Sequence, residues 1–304
     1  MPSSPLPPLS LASLRAGGKV ALARALARLE SAPEAADVVA LLEAAYAEPR
    51  AQVVGLTGPP GVGKSTLTGR LVAAYRARGE RVGVIAVDPS SRRSGGALLG
   101  DRLRLRSDAE DEGLFVRSMA ARDRLGGLAE ITWSAAVLMR ALFDRVLVET
   151  VGVGQSETDV AGIADTVVFC VQPGGGDSLQ FMKAGIVEIP QVAVVTKADM
   201  GAVAQRALAD LAGALSLAEP EDGWPVRTLA LSAEAGTGVA ELLAAVDDHF
   251  AWLGEDRRLA ARRHVQAEAW LRAAILERWG REGLKARGLP SLAFAQAPFA
   301  AAGR

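Results

Sequence analysis

Residues 58–66 read Gly-Pro-Pro-Gly-Val-Gly-Lys-Ser-Thr, a G-x-x-x-x-G-K-[ST] run whose spacing suits the phosphates of a nucleoside triphosphate. Gly58, Pro59, Pro60, Gly61, Val62 and Gly63 form a loop that wraps its backbone around phosphate oxygens. Glycine stands where a Cβ would obstruct, so amides point inward, and the following helix adds the positive end of its dipole. Lys64 supplies a point charge to the β and γ phosphates, and Ser65, followed by Thr66, offers a hydroxyl to Mg²⁺. A Gly-rich turn without ligand is the bland alternative. Against it stands the setting, a strand ending at Thr57 before the loop and a helix over 67–78 after it.

Three acids stand at or near predicted strand ends in the same half of the chain: Asp88 after Val-Ile-Ala-Val, Asp101 in a Gly-rich loop, and Glu149 after Val-Leu-Val. A hard divalent cation that keeps several waters needs such oxygens in its inner or outer shell. Any one of them alone is an ordinary solvated acid, whereas three around one phosphate loop point to a metal. The loop Gly152-Val-Gly-Gln-Ser-Glu157 follows Glu149, and its glycines let it respond to a γ-phosphate. Gln155 or Glu149 is placed to orient an attacking water, and the sequence leaves that choice open.

Thr196-Lys197-Ala198-Asp199 closes one predicted strand and Leu231-Ser232-Ala233-Glu234 the next. An aspartate there accepts both N1–H and the exocyclic amine of guanine, a pair that adenine does not offer. Lys197, Asp199, Ser232, Ala233 and Glu234 are therefore assigned to the base, and the nucleotides to GTP and GDP. Lys-x-Asp alone is common; its order after the phosphate loop and the strand-end acids gives it weight.

The elements that must position these residues are short apolar runs: 53–56, 82–87, 146–148, 166–171, 192–195 and 226–231. Alternating with helix-length segments, they predict an α/β fold, a mostly parallel, doubly wound sheet of the P-loop NTPase type that binds ligands beyond the carboxyl ends of its strands. Leu22, Leu26 and Leu29, then Val38, Leu41, Leu42 and Ala45, mark two N-terminal helices separated near Pro33. After Gly238 the chain reads as helix. The organisation expected is an N-terminal helical extension (1–48), a nucleotide-binding domain (49–253) and a C-terminal helical arm and tail (254–304). On that arm Leu271, Ile275 and Trp279, with Trp270, form a stripe that packs on the chain's own sheet or makes a dimer or partner face.

Composition narrows the partners. In 304 residues, 34 basic and 35 acidic side chains leave a net charge of −1, so no global basic field gathers nucleic acid or anionic lipid. One cysteine and two histidines make neither an intramolecular disulfide nor a zinc set. The N-terminus lacks a secretory pattern and no apolar run approaches a membrane span, which leads to the expectation of a cytoplasmic protein with no membrane partner.

The phosphate loop, Val87-Asp-Pro-Ser-Ser91, Gly95-Gly-Ala-Leu-Leu-Gly-Asp101, Leu125-Gly-Gly-Leu128, Glu149-Thr-Val-Gly-Val-Gly-Gln-Ser-Glu157 and Pro173-Gly-Gly-Gly-Asp-Ser-Leu-Gln180 together resemble the MeaB/ArgK-type GTPases associated with methylmalonyl-CoA mutase. The resemblance runs from about Leu22 through Phe250. It implies a GTPase of the class that includes the signal-recognition-particle and MinD-like proteins, slow alone and modulated by its partner. It further implies a homodimer that acts as chaperone to an adenosylcobalamin-dependent acyl-CoA mutase, methylmalonyl-CoA mutase first, with GTP hydrolysis gating cofactor loading and protecting or reactivating the mutase. By the same resemblance 58–66 hold the phosphates, Asp88, Asp101 and Glu149 surround Mg²⁺, Asp199 with Ser232 to Glu234 hold guanine, and Lys183 belongs to a mobile loop that reaches nucleotide or mutase.

Two positions depart from that pattern. Thr196 stands where most members carry Asn, which predicts weaker guanine binding with selectivity kept through Asp199. Segment 117–124 lacks the Pro-Ser-rich form of many members. Two rival readings are a nickel-delivery GTPase of a related branch, which calls for more His and Cys than this chain has, and a kinase associated with arginine/ornithine transport, for which no second substrate site is visible.

Overall fold

Valine-rich runs with no polar face must be covered on both sides, and the strands they form here are. The computed structural model describes residues 9–88, 111–120, 130–150, 159–174, 188–216, 223–288 and 291–303. Its strands are β1 (Gln52–Thr57), β2 (Val82–Asp88), β3 (Leu114–Ala120), β4 (Arg145–Glu149), β5 (Thr166–Val171), β6 (Val192–Val195) and β7 (Arg227–Ala230). They form one seven-stranded sheet in the order β3-β2-β4-β1-β5-β6-β7. Every pair is parallel. β1, β5 and β6 are buried along their whole lengths. The order reverses beside β1, which lies between β4 and β5, so the crevice where a ligand binds opens just past Thr57.

Six of these strands match the apolar runs in the sequence; β3 does not. Arg117 and Ser118 interrupt its apolar residues, and as an edge strand paired to β2 it needs no continuous apolar run. The first residues of segment 117–124 thus belong to the sheet, while 121–124 lie outside the described residues.

The helices are α1 (Leu11–Ser31), α2 (Ala36–Ala47), α3 (Lys64–Ala77), α4 (Glu130–Arg140), α5 (Ala202–Leu215), α6 (Val239–Gly254), α7 (Arg258–Arg287) and α8 (Phe299–Ala302). Leu67, Leu71 and Tyr75 of α3 and Leu242, Leu243 and Val246 of α6 share a core with Val54, Leu56, Val84 and Leu147 of the sheet. A second core joins Ala204, Leu211 and Leu215 of α5 to Phe169, Val171, Ala193 and Val195. Each fully buried leucine in these layers contributes about 1.5–3 kcal/mol.

The chain divides into two compact units: one of Gln52–Ala129 with Arg145–Leu259, the other of Met1–Ala51, Glu130–Asp144 and Ala260–Arg304. The first carries the sheet. In the second, α1 opens on a capping box between Ser10 and Ser13 and breaks at Gly18, whose φ of 57° and ψ of −148° are not helical. Aromatic rings hold this unit together: Trp133 of α4 stacks on Trp270 of α7 at 5.0 Å and meets Phe299 of α8 at 5.4 Å. Trp270 of the C-terminal stripe is therefore occupied within the helical unit. Leu271 and Ile275 beside it are buried, and Trp279 is half-buried. Among the described residues no helix is long and apolar enough to cross a membrane.

Candidate nucleotide site

The loop after β1 leaves the sheet under a tight steric demand. Gly58 has φ 133°, and a Cβ there would stand 2.0 Å from the carbonyl oxygen of Cys170 on β5. Only glycine permits that exit. Gly63, at φ 97°, caps α3 in a left-handed conformation with no side-chain hydrogen bond to the helix's first amides, which suits them to an anion. The buried Lys64 ammonium donates to the carbonyl oxygens of Gly58 at 2.7 Å and Pro59 at 2.9 Å, so its charge is held against the loop. Cys170 beneath the loop is buried, which pushes its thiol up to about 12 although the Lys64 charge pulls the other way; it stays a neutral packing group.

Ser65 of α3 and Glu149 at the end of β4 meet. Ser65 Oγ donates to Glu149 Oε1 at 2.5 Å, and Thr68 Oγ1 donates to Glu149 Oε2 at 2.8 Å. The carboxylate is buried and oriented from both oxygens by the helix that starts at the phosphate loop. Thr150 and Thr57 hydroxyls bond at 3.1 Å, tying the ends of β4 and β1 side by side. A serine hydroxyl beside a carboxylate is an all-oxygen donor set, which fits Mg²⁺. Asp88 closes β2, next to β4 in the sheet, and is described in its backbone. Asp101, Gln155 and Lys183 lie outside the described residues.

On the other side of β1 the strand ends build the base region. Thr196 Oγ1 lies 2.7 Å from the carbonyl oxygen of Val62 in the phosphate loop and 2.9 Å from that of Val171. Lys197, at φ 55°, places Nζ 2.7 Å from Gln172 Oε1 and 3.3 Å from the Gly61 carbonyl oxygen. The Ala198 amide donates to the Leu231 carbonyl at 3.0 Å, joining the loops after β6 and β7. Asp199 is exposed, and the hydroxyl of Ser232 holds its carboxyl below the usual aspartate value, helped by its own amide and the Lys197 charge. The loop after Leu231 closes on itself: Ala235 N donates to Ser232 Oγ at 3.1 Å and Gly236 N to the Ser232 carbonyl at 2.8 Å. Arg70 of α3 reaches this loop, donating to the carbonyls of Ala233 at 2.5 Å and Glu234 at 2.7 Å.

The fold thus brings together Gly58 to Ser65 with Glu149, and Thr196 to Asp199 with Ser232 to Glu234. Thr68 and Arg70 are the contributors that the motifs missed. Thr68 had a signal: standing three and four residues after Ser65 and Lys64, it shares their face of the helix. Nothing local to Arg70 announces its partners, which lie 163 and 164 residues away.

Known proteins resemble the chain over most of its length. Residues 22–285 match the family described as methylmalonyl Co-A mutase-associated GTPase MeaB. A protein of Pyrococcus horikoshii that carries a GTPase name is 44% identical over 229 residues, covering 74% of this chain and 72% of that one. The mouse methylmalonic aciduria type A homolog, a mitochondrial protein, is 38% identical over 228 residues, 74% of this chain and 55% of its own. Among solved structures, one described as an LAO/AO transport system kinase superposes with a TM-score of 0.73 at 30% identity, over 90% of this chain and 86% of that one.

Proposed function

We propose, from the premise that this chain belongs to the methylmalonyl-CoA mutase-associated GTPase family and hydrolyses GTP, that its turnover gates adenosylcobalamin loading of a cobalamin-dependent acyl-CoA mutase and protects or reactivates that mutase. Methylmalonyl-CoA mutase is the first candidate partner. The observation that carries the hydrolytic reading is the contact of Ser65 with Glu149, a hydroxyl and a carboxylate at the mouth of the phosphate loop that together suit a metal.

In this reading the amides of Gly58 to Thr66 and the Lys64 ammonium hold the β and γ phosphates, and Lys64 offsets charge that develops as the γ-phosphoryl group leaves. Water adds to the γ-phosphorus, the bond to the β–γ bridging oxygen breaks, and GDP and phosphate depart. Ser65 and the carboxylates of Glu149, Asp88 and Asp101 would hold Mg²⁺, which would supply positive charge to the phosphate oxygens. Glu149, oriented by Ser65 and Thr68, is better suited to that role than to moving a proton, which leaves Gln155 to orient the water. Asp199 accepts from guanine N1–H and the exocyclic amine, with Lys197 and Ser232 to Glu234 around the base. By the family resemblance, Lys183 is assigned to contact nucleotide or mutase.

A homodimer is proposed with this function. Because Trp270, Leu271 and Ile275 are buried, its contact uses other residues of the chain, and light scattering of the full chain reports it directly. The nickel-delivery reading is not favoured, since a chain with two histidines and one cysteine is poor in the ligands nickel takes.

The direct test is loading of apo-mutase with adenosylcobalamin, followed by the cofactor's absorbance. GTP is expected to alter loading relative to a non-hydrolysable analogue, and Lys64→Ala to abolish the difference. Loading indifferent to nucleotide and to Lys64 overturns the proposal.

A further inference from the structure

Arg70 lies on the same helix as Lys64 and Ser65, yet its guanidinium grips the loop at the far side of the site. Nε donates to the Ala233 carbonyl and Nη2 to the Glu234 carbonyl, at 2.5 and 2.7 Å. A planar fork on successive carbonyls fixes the orientation of both peptide planes, because each carbonyl shares a rigid plane with the next residue's amide. The plane that carries the Glu234 carbonyl also carries the Ala235 amide, which donates to Ser232 Oγ at 3.1 Å. The loop that carries Ser232 is tied to the one that carries Asp199 by the Ala198 amide, which donates to the Leu231 carbonyl at 3.0 Å, and the Ser232 hydroxyl holds the Asp199 carboxyl below its usual range. A path therefore runs from the phosphate helix through Arg70 and the Ser232–Glu234 loop to the neighbouring loop that carries the guanine-assigned aspartate. Leu231 and Ala233 share the buried core with Leu67 and Leu71 of α3, which brings the loop near the helix, and the Arg70 fork fixes how its carbonyls are turned.

We propose that Arg70 is a positioning residue for guanine selectivity, holding the Ser232–Glu234 loop in register with the phosphate site so that Asp199 meets the base while the phosphates are engaged. This rests on the reading that Asp199 and Ser232 to Glu234 hold guanine. The Arg70 guanidinium is committed to the Ala233 and Glu234 carbonyls of the base-side loop. Its loss therefore weakens the base contacts and spares those to the phosphates.

The experiment compares full-length wild type, Arg70→Met, Arg70→Lys and Asp199→Asn, each checked by thermal melting. Competition of GTP, ATP and inorganic triphosphate against a fluorescent GDP analogue gives the affinities. Arg70→Met is expected to lower the preference for GTP over ATP by about tenfold, the scale of a lost charge-assisted hydrogen bond, with triphosphate affinity unchanged. Arg70→Lys, keeping one charged nitrogen without the planar fork, falls between. Should Arg70→Met not fold, Arg70→Lys and Arg70→Gln carry the comparison. An unchanged GTP-to-ATP ratio in folded variants, or triphosphate affinity falling in step with GTP, overturns the role of Arg70. If Asp199→Asn fails to shift preference toward xanthine nucleotides, the guanine reading falls and the Arg70 proposal with it; if it shifts while the Arg70 variants do not, only the Arg70 proposal falls.

Discussion

Ser65 and Glu149 are 84 residues apart in sequence and 2.5 Å apart at their oxygens, so the hydroxyl that opens the phosphate helix and the acid that closes β4 form one unit. That pairing depends on the strand order, which sets β4 directly beside β1. Glu149→Gln keeps the shape and removes the charge. GTP turnover is expected to fall by about 100-fold or more, the scale seen when one preorganised electrostatic group is removed. GDP affinity in the absence of Mg²⁺ should change little. A variant that turns over normally removes Glu149 from the metal shell.

Thr68→Val tests how that acid is oriented. The substitution deletes the 2.8 Å bond to Glu149 Oε2 with almost no change of volume. One donor fewer to a buried carboxylate costs about 1–3 kcal/mol of stability. The Mg²⁺ concentration for half-maximal turnover should rise as well. Loss of stability with the Mg²⁺ midpoint unmoved would assign Thr68 to folding alone.

Gly58→Ala should be among the most damaging single changes in the phosphate loop. The new Cβ meets the Cys170 carbonyl at 2.0 Å at a φ of 133°. The clash and the backbone strain together cost more than about 2 kcal/mol. Gly61→Ala, with nothing within 4 Å of its Cβ position, carries only the strain of its φ of 76°. Calorimetric melting of the two variants ranks them; equal melting temperatures would contradict the steric account.

What the sequence could say about this site was set by distance along the chain. The phosphate loop was legible because its glycines, Lys64 and Ser65 act within one turn and serve a ligand of fixed shape. Thr196 stood out within its own motif, while the contacts of its hydroxyl to the Val62 and Val171 carbonyls depend on the fold. Thr68 and Arg70 were not read, because their partners are brought near only by the sheet and the packing of α3. β3 was missed since an edge strand tolerates Arg117 and Ser118. The C-terminal stripe was seen as apolar, but its partner Trp133 sits in a helix between two strands, and periodicity does not reveal what an apolar face meets.

Asp199 gives a pH prediction. Its folded pKa is lowered by the Ser232 hydroxyl, below the ordinary 3.8, so the contribution of this interaction to stability is complete above 3.8 and lost as pH falls through the folded value. Guanine selectivity should therefore hold unchanged from neutral pH down to about pH 5 as far as Asp199 is concerned. Ser232→Ala should raise the Asp199 titration toward its ordinary value. Carboxyl-carbon NMR titration of both proteins measures it, and identical midpoints would contradict the Ser232–Asp199 interaction.

The central claim, a GTPase whose turnover answers to a cobalamin mutase, is tested most directly by steady-state hydrolysis of GTP and ATP by the purified protein, with and without adenosylcobalamin-dependent methylmalonyl-CoA mutase from the same source. The account predicts slow, GTP-selective turnover that rises when the mutase is added. Turnover indifferent to the mutase, or equal use of ATP, would contradict it.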